Sequence, residues 1–197
     1  MQVTAEMVKE LREKTNAGLM DCKRALAATG GDVQKAIDYL RKSGLAIAAK
    51  KAGRAAAEGV IGAYIHHGDK IGVMVEVNCE TDFVARNADF KEFVKLVTLQ
   101  IASAAPTYLA SSEVPEEVLG REKEVLAAQV KGKPPQIVEK IVQGRLAKFY
   151  ETCCLLEQPS VRPEHEGRKI RELLTDLIAK LGENIVIKRF TRYQLGA

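Results

Sequence analysis

Tryptophan is absent from the 197-residue chain, and aromatic residues make up only 5% of it. Proteins that bind single-stranded nucleic acids usually stack bases on aromatic side chains, so this composition argues against such a platform. The sequence also lacks the run of about 18 apolar residues that a membrane-spanning helix needs. The first residues, MQVTAE, are polar and unlike a signal peptide, so we expect a cytoplasmic protein without membrane contact.

The four cysteines do not have the spacing of a metal site or of a disulfide framework. They are Cys22, Cys79, Cys153 and Cys154, and no C-x-x-C pair occurs among them. The last two are adjacent, and adjacent cysteines pair poorly with each other. We therefore expect free, buried thiols in a reducing compartment.

Motifs for phosphate binding and for catalysis are missing as well. The sequence contains neither G-x-x-x-x-G-K-[ST] nor G-x-G-x-x-G. His66 and His67 are adjacent at a predicted strand end and would point to opposite faces, which suits no shared metal ion. No Ser/His/Asp or Cys/His constellation can be placed. The sequence predicts a protein that is not an enzyme and has no catalytic residue, metal site or cofactor.

Positive charge is concentrated near the N-terminus. Residues 1–54 contain eleven lysines and arginines against six acidic residues, a net charge of +5, whereas the rest of the chain has a net charge of −1. A basic module on a nearly neutral body indicates an acidic partner. That partner could be a nucleic acid or an acidic protein surface, and charge alone does not distinguish them.

Hydrophobic periodicity predicts a three-helix N-terminal docking domain, residues 1–44. Thr4 and Asp32 are the expected N-caps of the first and third helices, and Gly44 is the expected end of the third. So small a module has no room for an active site. An Ala-rich basic linker, residues 45–58, follows and could also form a solvated helix.

The pattern then changes to that of a core domain, residues 59–197. Two alternating runs flank Gly68 and predict a β-hairpin, and Asp89 with Glu92 fits a capping box for the next helix. The remaining elements are helices over residues 89–105, 121–130, 135–153 and 170–181 and a last strand over residues 185–193. The expected fold class is α+β, with a small antiparallel sheet covered by helices.

Residues 78–87, NCETDFVARN, join the strongest predicted strand to the strongest predicted helix. In a structural interpretation, Thr81 or Asp82 caps a helical turn, Phe83 packs beneath it with Val84, and Arg86 is solvated. In a functional interpretation, this rigid corner presents an acid beside a large aromatic side chain to a partner. The residues alone favour the structural interpretation.

Two segments resemble signatures of the elongation factor Ts family. Residues 81–87 are its TDFVARN run, and residues 11–26, LREKTNAGLMDCKRAL, closely resemble its LRxxTGAGxMDCKxAL pattern. Asn16 replaces the usual glycine at a turn position that tolerates asparagine. The resemblance covers essentially the whole chain, including the hairpin and residues 182–185. It favours the functional interpretation of residues 78–87 over the structural one.

This resemblance implies a ubiquitin-associated-like three-helix domain and a core domain with a small antiparallel sheet. It implies a guanine-nucleotide exchange factor that accelerates GDP release from elongation factor Tu without binding nucleotide itself. Asp82 and Phe83 match residues that enter the partner's GTP-binding domain near its magnesium site. Leu19 and Met20 match positions that dock on the same domain. Short family members pair through the core sheet, so a homodimer is implied.

The expected partner-binding residues form two groups. The magnesium-displacing wedge comprises Thr81, Asp82, Phe83, Val84, Arg86 and Asn87. The N-terminal face comprises Leu11, Arg12, Gly18, Leu19, Met20 and Lys23. Because magnesium requires near-ideal octahedral geometry, a wedge that displaces its surroundings would weaken its binding and let GDP leave faster.

Two other functions are compatible with parts of the sequence. A nucleic-acid-binding adaptor would use the basic N-terminal module, Lys50, Lys51, Arg54 and the cluster at Lys188, Arg189 and Arg192, although a solvated surface explains the same charges. A steep salt dependence of binding to DNA or RNA would indicate this adaptor. A ubiquitin-like-binding module would rest on the three-helix domain alone.

Overall fold

The computed structural model describes residues 3–15, 17–130 and 134–196. The helices and strands of this part of the chain are α1 (Ala5–Thr15), α2 (Leu19–Ala28), α3 (Val33–Lys51), β1 (Glu58–Ile65), β2 (Ile71–Cys79), α4 (Asp82–Arg86), α5 (Ala88–Ala104), α6 (Glu116–Ala128), α7 (Pro135–Cys153), α8 (Ile170–Leu181) and β3 (Val186–Gln194). Short 3-10 turns lie at Ser111–Glu113, Leu155–Glu157 and Pro163–His165. The predicted α+β class is confirmed.

The three strands form one antiparallel sheet in the order β1-β2-β3. Gly68 and Asp69 both have positive φ and turn the chain between β1 and β2, as the sequence predicts. Val73, Val75 and Val77 are buried on one face of the central strand. The predicted return of the last strand to the hairpin is confirmed, because β3 pairs with β2.

The chain divides into two compact units. The first comprises Met1–Val60, Val77–Glu92 and Glu172–Val186, and it contains the N-terminal helices and most of α8. The second comprises Ile61–Glu76, Phe93–Arg171 and Ile187–Ala197. No helix in the described ranges combines the length and the apolar character that crossing a membrane requires.

In the first unit, α1, α2 and α3 enclose a small apolar core. Its buried side chains are Val8, Leu11, Cys22, Ala25, Leu26 and Ala36. The two predicted caps are present, because Thr4 Oγ1 accepts from Met7 N at 3.3 Å and Asp32 Oδ1 accepts from Lys35 N at 3.0 Å. These caps satisfy donors that the first turn of a helix leaves without partners.

Helix α3 does not end at Gly44, so that prediction was wrong. The helix continues to Lys51, and Gly44 is buried within it. A Cβ atom placed at Gly44 would lie 3.7 Å from Ala179 Cβ, which shows how closely α3 packs on α8 at this point. Glycine in a helix interior costs about 1 kcal/mol relative to alanine, and 3.7 Å is an ordinary van der Waals distance, so an alanine would also fit here. Residues 45–51 of the predicted linker are therefore helical.

In the second unit, α5 packs on one face of the sheet. A Cβ atom at Gly62 would lie 2.5 Å from Val94 Cγ1 and 3.2 Å from Thr98 Cγ2, so only glycine permits this approach. Gln100, on α5, and Gln158 are buried, and Gln100 Nε2 donates to Gln158 Oε1 at 3.1 Å. Both amides also bond to neighbouring backbone groups, which removes the penalty for burying them.

The four cysteines are free thiols, as expected. Cys22, Cys79 and Cys154 are buried, and Cys153 is partly buried. Burial raises the pKa of the Cys154 thiol to about 12 and that of the Cys79 thiol to about 11. Such thiols are protonated at neutral pH and behave as small apolar side chains.

Candidate partner-binding site

The corner between β2 and α5 is built around the single turn of helix α4. Thr81 has extended backbone angles and is the N-cap, with Oγ1 accepting from Val84 N at 3.5 Å. Ala85, on this turn, is buried. The part of the structural interpretation that made Thr81 a cap is therefore confirmed.

Phe83 points into solvent from this turn. Its side chain is 81% exposed, whereas Val84 beside it is partly buried. The hypothesis that Phe83 packs beneath the turn is therefore wrong. Burying such a side chain is worth about 1.5–3 kcal/mol, and the fold does not use this contribution. Loops held by a rigid scaffold commonly carry binding residues, and Phe83 is exposed to a partner in such a position.

The other predicted wedge residues surround Phe83 and shape the turn. Arg86 Nη2 lies 3.0 Å from Asp82 Oδ2 across one helical turn, in a partly exposed ion pair. Asn87 ends α4 and caps α5, because its Oδ1 accepts from Asp89 N at 2.8 Å. The predicted capping box beginning at Asp89 was wrong, since α5 begins one residue earlier and Asp89 pairs with Lys180 at 2.9 Å.

Glu183 joins the loop after α8 to the start of this corner. Its Oε2 accepts from Glu80 N and from Thr81 N, both at 3.0 Å. Its Oε1 accepts from Thr81 Oγ1 at 2.6 Å. One carboxylate therefore receives three hydrogen bonds from two consecutive residues.

Glu80 makes the reciprocal connection. Its Oε1 accepts from Asn184 N at 2.6 Å, and its Oε2 lies 3.4 Å from Arg54 Nη1. The backbone N–H of Asn184, assisted by Arg54, lowers the pKa of the Glu80 carboxyl below its ordinary value. Asn184 Nδ2 also donates to Arg54 O at 2.7 Å. We call Arg54, Glu80, Thr81, Glu183 and Asn184 the corner bracket.

Sequence reasoning did not assign Glu80, Glu183 or Asn184 to the site. The sequence offers only an indirect signal for them: residues 182–185 belong to the part of the chain that resembles the family, but the resemblance assigns them no role. The pairing itself spans about half the chain, because Glu183 lies 102 residues after Thr81. No local periodicity reports such a contact.

The N-terminal group divides into surface and core residues. Leu19 and Met20 begin α2 and are 58% and 64% exposed, and Arg12 and Lys23 are also exposed. Leu11 is fully buried in the three-helix core, so its side chain supports this face and does not lie on it. Gly18 is partly buried and is the N-cap residue of α2. Both predicted groups lie in the first compact unit.

Comparison with known proteins identifies the family. A sequence model of the family Elongation factor TS matches residues 1–167. Elongation factor Ts of Thermodesulfovibrio yellowstonii is 56% identical over 198 residues, covering 100% of this chain and 98% of the relative. The chain belongs to the elongation factor Ts family. Elongation factor Ts of Caldanaerobacter subterraneus is 57% identical over 197 residues, covering 98% of this chain and 97% of the relative.

Family membership gives the coarse function. Members are translation elongation factors, and membership supports a nucleotide-exchange role toward elongation factor Tu. The resemblance that the TDFVARN and LREKTNAG segments indicate is thus confirmed. Within the described ranges, no group of three or more His, Cys, Asp and Glu side chains is arranged to hold a metal ion.

Proposed function

We propose that the protein accelerates GDP release from elongation factor Tu by inserting the Phe83 turn beside the partner's magnesium and nucleotide site. The observation that carries this proposal is the exposed phenylalanine on a turn fixed by Thr81, Ala85 and the corner bracket. The inserted turn favours the nucleotide-free form of the partner. Because translation takes place in the cytoplasm, the protein acts there.

This mechanism needs no catalytic residue and no cofactor on the chain. Magnesium holds its ligands in near-ideal octahedral geometry, so a small displacement of its surroundings weakens it. Phe83 supplies the volume for that displacement, and Asp82 adds negative charge next to it. The binding free energy of the remaining contacts offsets the distortion of the partner. The protein binds one state of elongation factor Tu more tightly than another and is not an enzyme.

The N-terminal docking domain, residues 1–44, supplies a second contact with the same GTP-binding domain. The exposed side chains of Leu19, Met20, Arg12 and Lys23 make this contact. In this proposal residues 45–58 connect the docking domain to the core, residues 59–197. The helical continuation of α3 makes the first half of that connection rigid.

Replacing Leu19 and Met20 together by alanine is expected to weaken binding to elongation factor Tu by about tenfold. Both side chains are exposed, so the melting temperature should change little, because surface substitutions are usually within about 0.5 kcal/mol. Titration calorimetry with the nucleotide-free partner measures the affinity. Leu26→Ala, in the buried core of the same domain, is the contrasting variant and should lower the melting temperature. Unchanged affinity in the double variant would remove this face from the proposed site.

GDP and the protein are expected to oppose each other's binding to elongation factor Tu by the same factor. This reciprocity follows from thermodynamic linkage, and coupling between sites is typically about 1–3 kcal/mol. Calorimetry over a series of GDP concentrations, with and without magnesium, measures both affinities. Removing magnesium should lower the factor by which GDP and the protein weaken each other's binding, because the Phe83 turn acts on the surroundings of the ion. Equal affinity for the GDP-bound and nucleotide-free partner would exclude an exchange factor, because such a ligand shifts no equilibrium.

Three of the basic residues of the nucleic-acid alternative, Arg54, Arg189 and Arg192, are engaged within the chain. Arg54 lies beside Glu80, and Arg189 Nε lies 2.7 Å from Glu76 Oε2. Arg192 donates to the carbonyl oxygen of Ala102. Side chains held in this way are less available to phosphates, which weighs against the adaptor.

A homodimer through the core sheet is the other part of the proposal. The face of the sheet opposite α5 carries exposed apolar side chains, with Ile61 63%, Ile65 62% and Met74 50% exposed. We call these three residues the open sheet face. A second copy of the chain would cover it with the same residues, which gives a self-complementary apolar contact.

A further inference from the structure

We propose that Glu183 is a positioning residue that holds the Phe83 turn in the conformation in which it meets its partner, an inference that rests on the proposed function. The structure places its carboxylate on Glu80 and Thr81, the two residues directly before α4. Glu183 therefore acts on the partner through Thr81 and Phe83, without touching the partner itself.

The turn needs external support because it is short. Helix α4 has five residues, and isolated helices of that length are unstable in water. Glu183 accepts the N–H groups of Glu80 and Thr81, which lead into the turn, and the hydroxyl of the N-cap Thr81, in hydrogen bonds to a charged acceptor. Hydrogen bonds of this kind are about twice as strong as neutral ones.

Glu183 is itself fixed by the helix that precedes it. Gly182 ends α8 with φ of +73°, a conformation that glycine adopts without strain, and its N–H donates to Ile178 O at 2.9 Å. This sharp turn places Glu183 directly after a helix whose residues Leu177 and Ile178 are buried. The end of α8 is thus fixed, and the Glu183 side chain extends from it to Glu80 and Thr81.

The bracket is reciprocal, which distinguishes it from a single surface contact. Glu183 accepts from the backbone of Glu80, and Glu80 accepts from the backbone of Asn184. Displacing the corner would break hydrogen bonds on both chain segments at once. Both oxygens of Glu183 are occupied, and the residue is only partly exposed. A positioning role explains this arrangement better than a role in contacting the partner.

Loss of the corner bracket is expected to lower the fraction of molecules in which the Phe83 turn has the conformation that binds the partner. The apparent dissociation constant rises in proportion as that fraction falls. We expect Glu183→Ala to weaken binding to nucleotide-free elongation factor Tu, and to slow GDP release at limiting protein concentration, by about tenfold. Hydrogen exchange of the Glu80 and Thr81 amides in the free protein should accelerate by at least a comparable factor. Glu183→Gln retains one acceptor oxygen and should lie between the wild type and the alanine variant.

A double-mutant cycle with Phe83→Ala separates positioning from general stability. If Glu183 acts through Phe83, removing it from the Phe83→Ala protein costs little further exchange activity, so the two effects are not additive. Glu113→Ala is the matched control, because this carboxylate also accepts from a backbone N–H, that of Leu109 at 3.2 Å, far along the chain from the corner. It should leave amide exchange at Glu80 and Thr81 unchanged.

The outcomes separate this inference from the proposed function. A wild-type protein that fails to accelerate GDP release overturns the proposed function, regardless of the hydrogen exchange of the Glu80 and Thr81 amides. A wild-type protein that accelerates release, with amide protection at Glu80 and Thr81 unchanged in Glu183→Ala, overturns the inference alone. Additive losses in the cycle also overturn it. Should Glu183→Ala not fold, Glu183→Gln is judged by the same two measurements.

Discussion

Replacing Phe83 by alanine is expected to slow the stimulated release of GDP from elongation factor Tu by about 30-fold, the effect of a central interface residue worth about 2 kcal/mol. The fold should hardly respond, because the side chain is exposed and makes little contribution to the core. The release of a fluorescent GDP analogue, followed after rapid mixing, measures the first quantity. Thermal unfolding of the free protein measures the second.

Two variants make this result interpretable. Phe90→Ala removes a fully buried phenylalanine seven residues later and should destabilise the protein by about 3–5 kcal/mol. Asp82→Asn keeps the shape of the neighbouring side chain and removes its charge, which tests whether the acid acts electrostatically or only positions Phe83. A Phe83→Ala protein that loses several degrees of melting temperature and keeps its exchange rate would show that Phe83 has a structural role only.

Introducing a charge at Ile65 is expected to convert a dimer into a monomer. Ile65→Asp places a carboxylate on the open sheet face, where a second copy would bury it without a partner, and an unpaired buried charge is strongly destabilising. Sedimentation velocity over a range of protein concentrations measures the association. The isolated chain should remain folded by circular dichroism, since the side chain is exposed.

Val125→Asp is the matched control for the dimer. Val125 is also an exposed β-branched side chain, but it lies on α6 and not on the sheet. It should leave association unchanged. A wild-type protein that sediments as a monomer at all concentrations, or an Ile65→Asp protein that still dimerises, would contradict pairing through this face.

The sequence predicts the elements well where the deciding signal is local. The alternation in β1 and β2, the turn at Gly68, the cap at Asp32 and the end of α8 at Gly182 depend on residues within a few positions of each other. Each of these is confirmed. The TDFVARN segment and the corner it occupies are also found in this way.

The remaining features depend on contacts between distant parts of the chain. Gly44 is a plausible helix end until its packing against Ala179 is known. The exposure of Phe83 depends on which side of the single turn of α4 is buried. A five-residue helix is too short for its hydrophobic periodicity to predict that side. The corner bracket joins residues about one hundred positions apart, so no sequence window contains both of its sides.

If the docking domain and the Phe83 turn both contact elongation factor Tu, as proposed, the uninterrupted α3 affects how these two contacts combine. The helix has 19 residues, about 28 Å at 1.5 Å per residue, and begins in the domain that carries Leu19 and Met20. Its last residue, Lys51, lies three positions before Arg54, a member of the corner bracket that bonds to Asn184 and Glu80. If the link between the two contacts were flexible, forming the second contact would require a search through many conformations, and the entropy of closing the loop would oppose it. With a helical tether, a partner held at one contact meets the other at a high, fixed effective concentration, so two modest surfaces act together as one strong one.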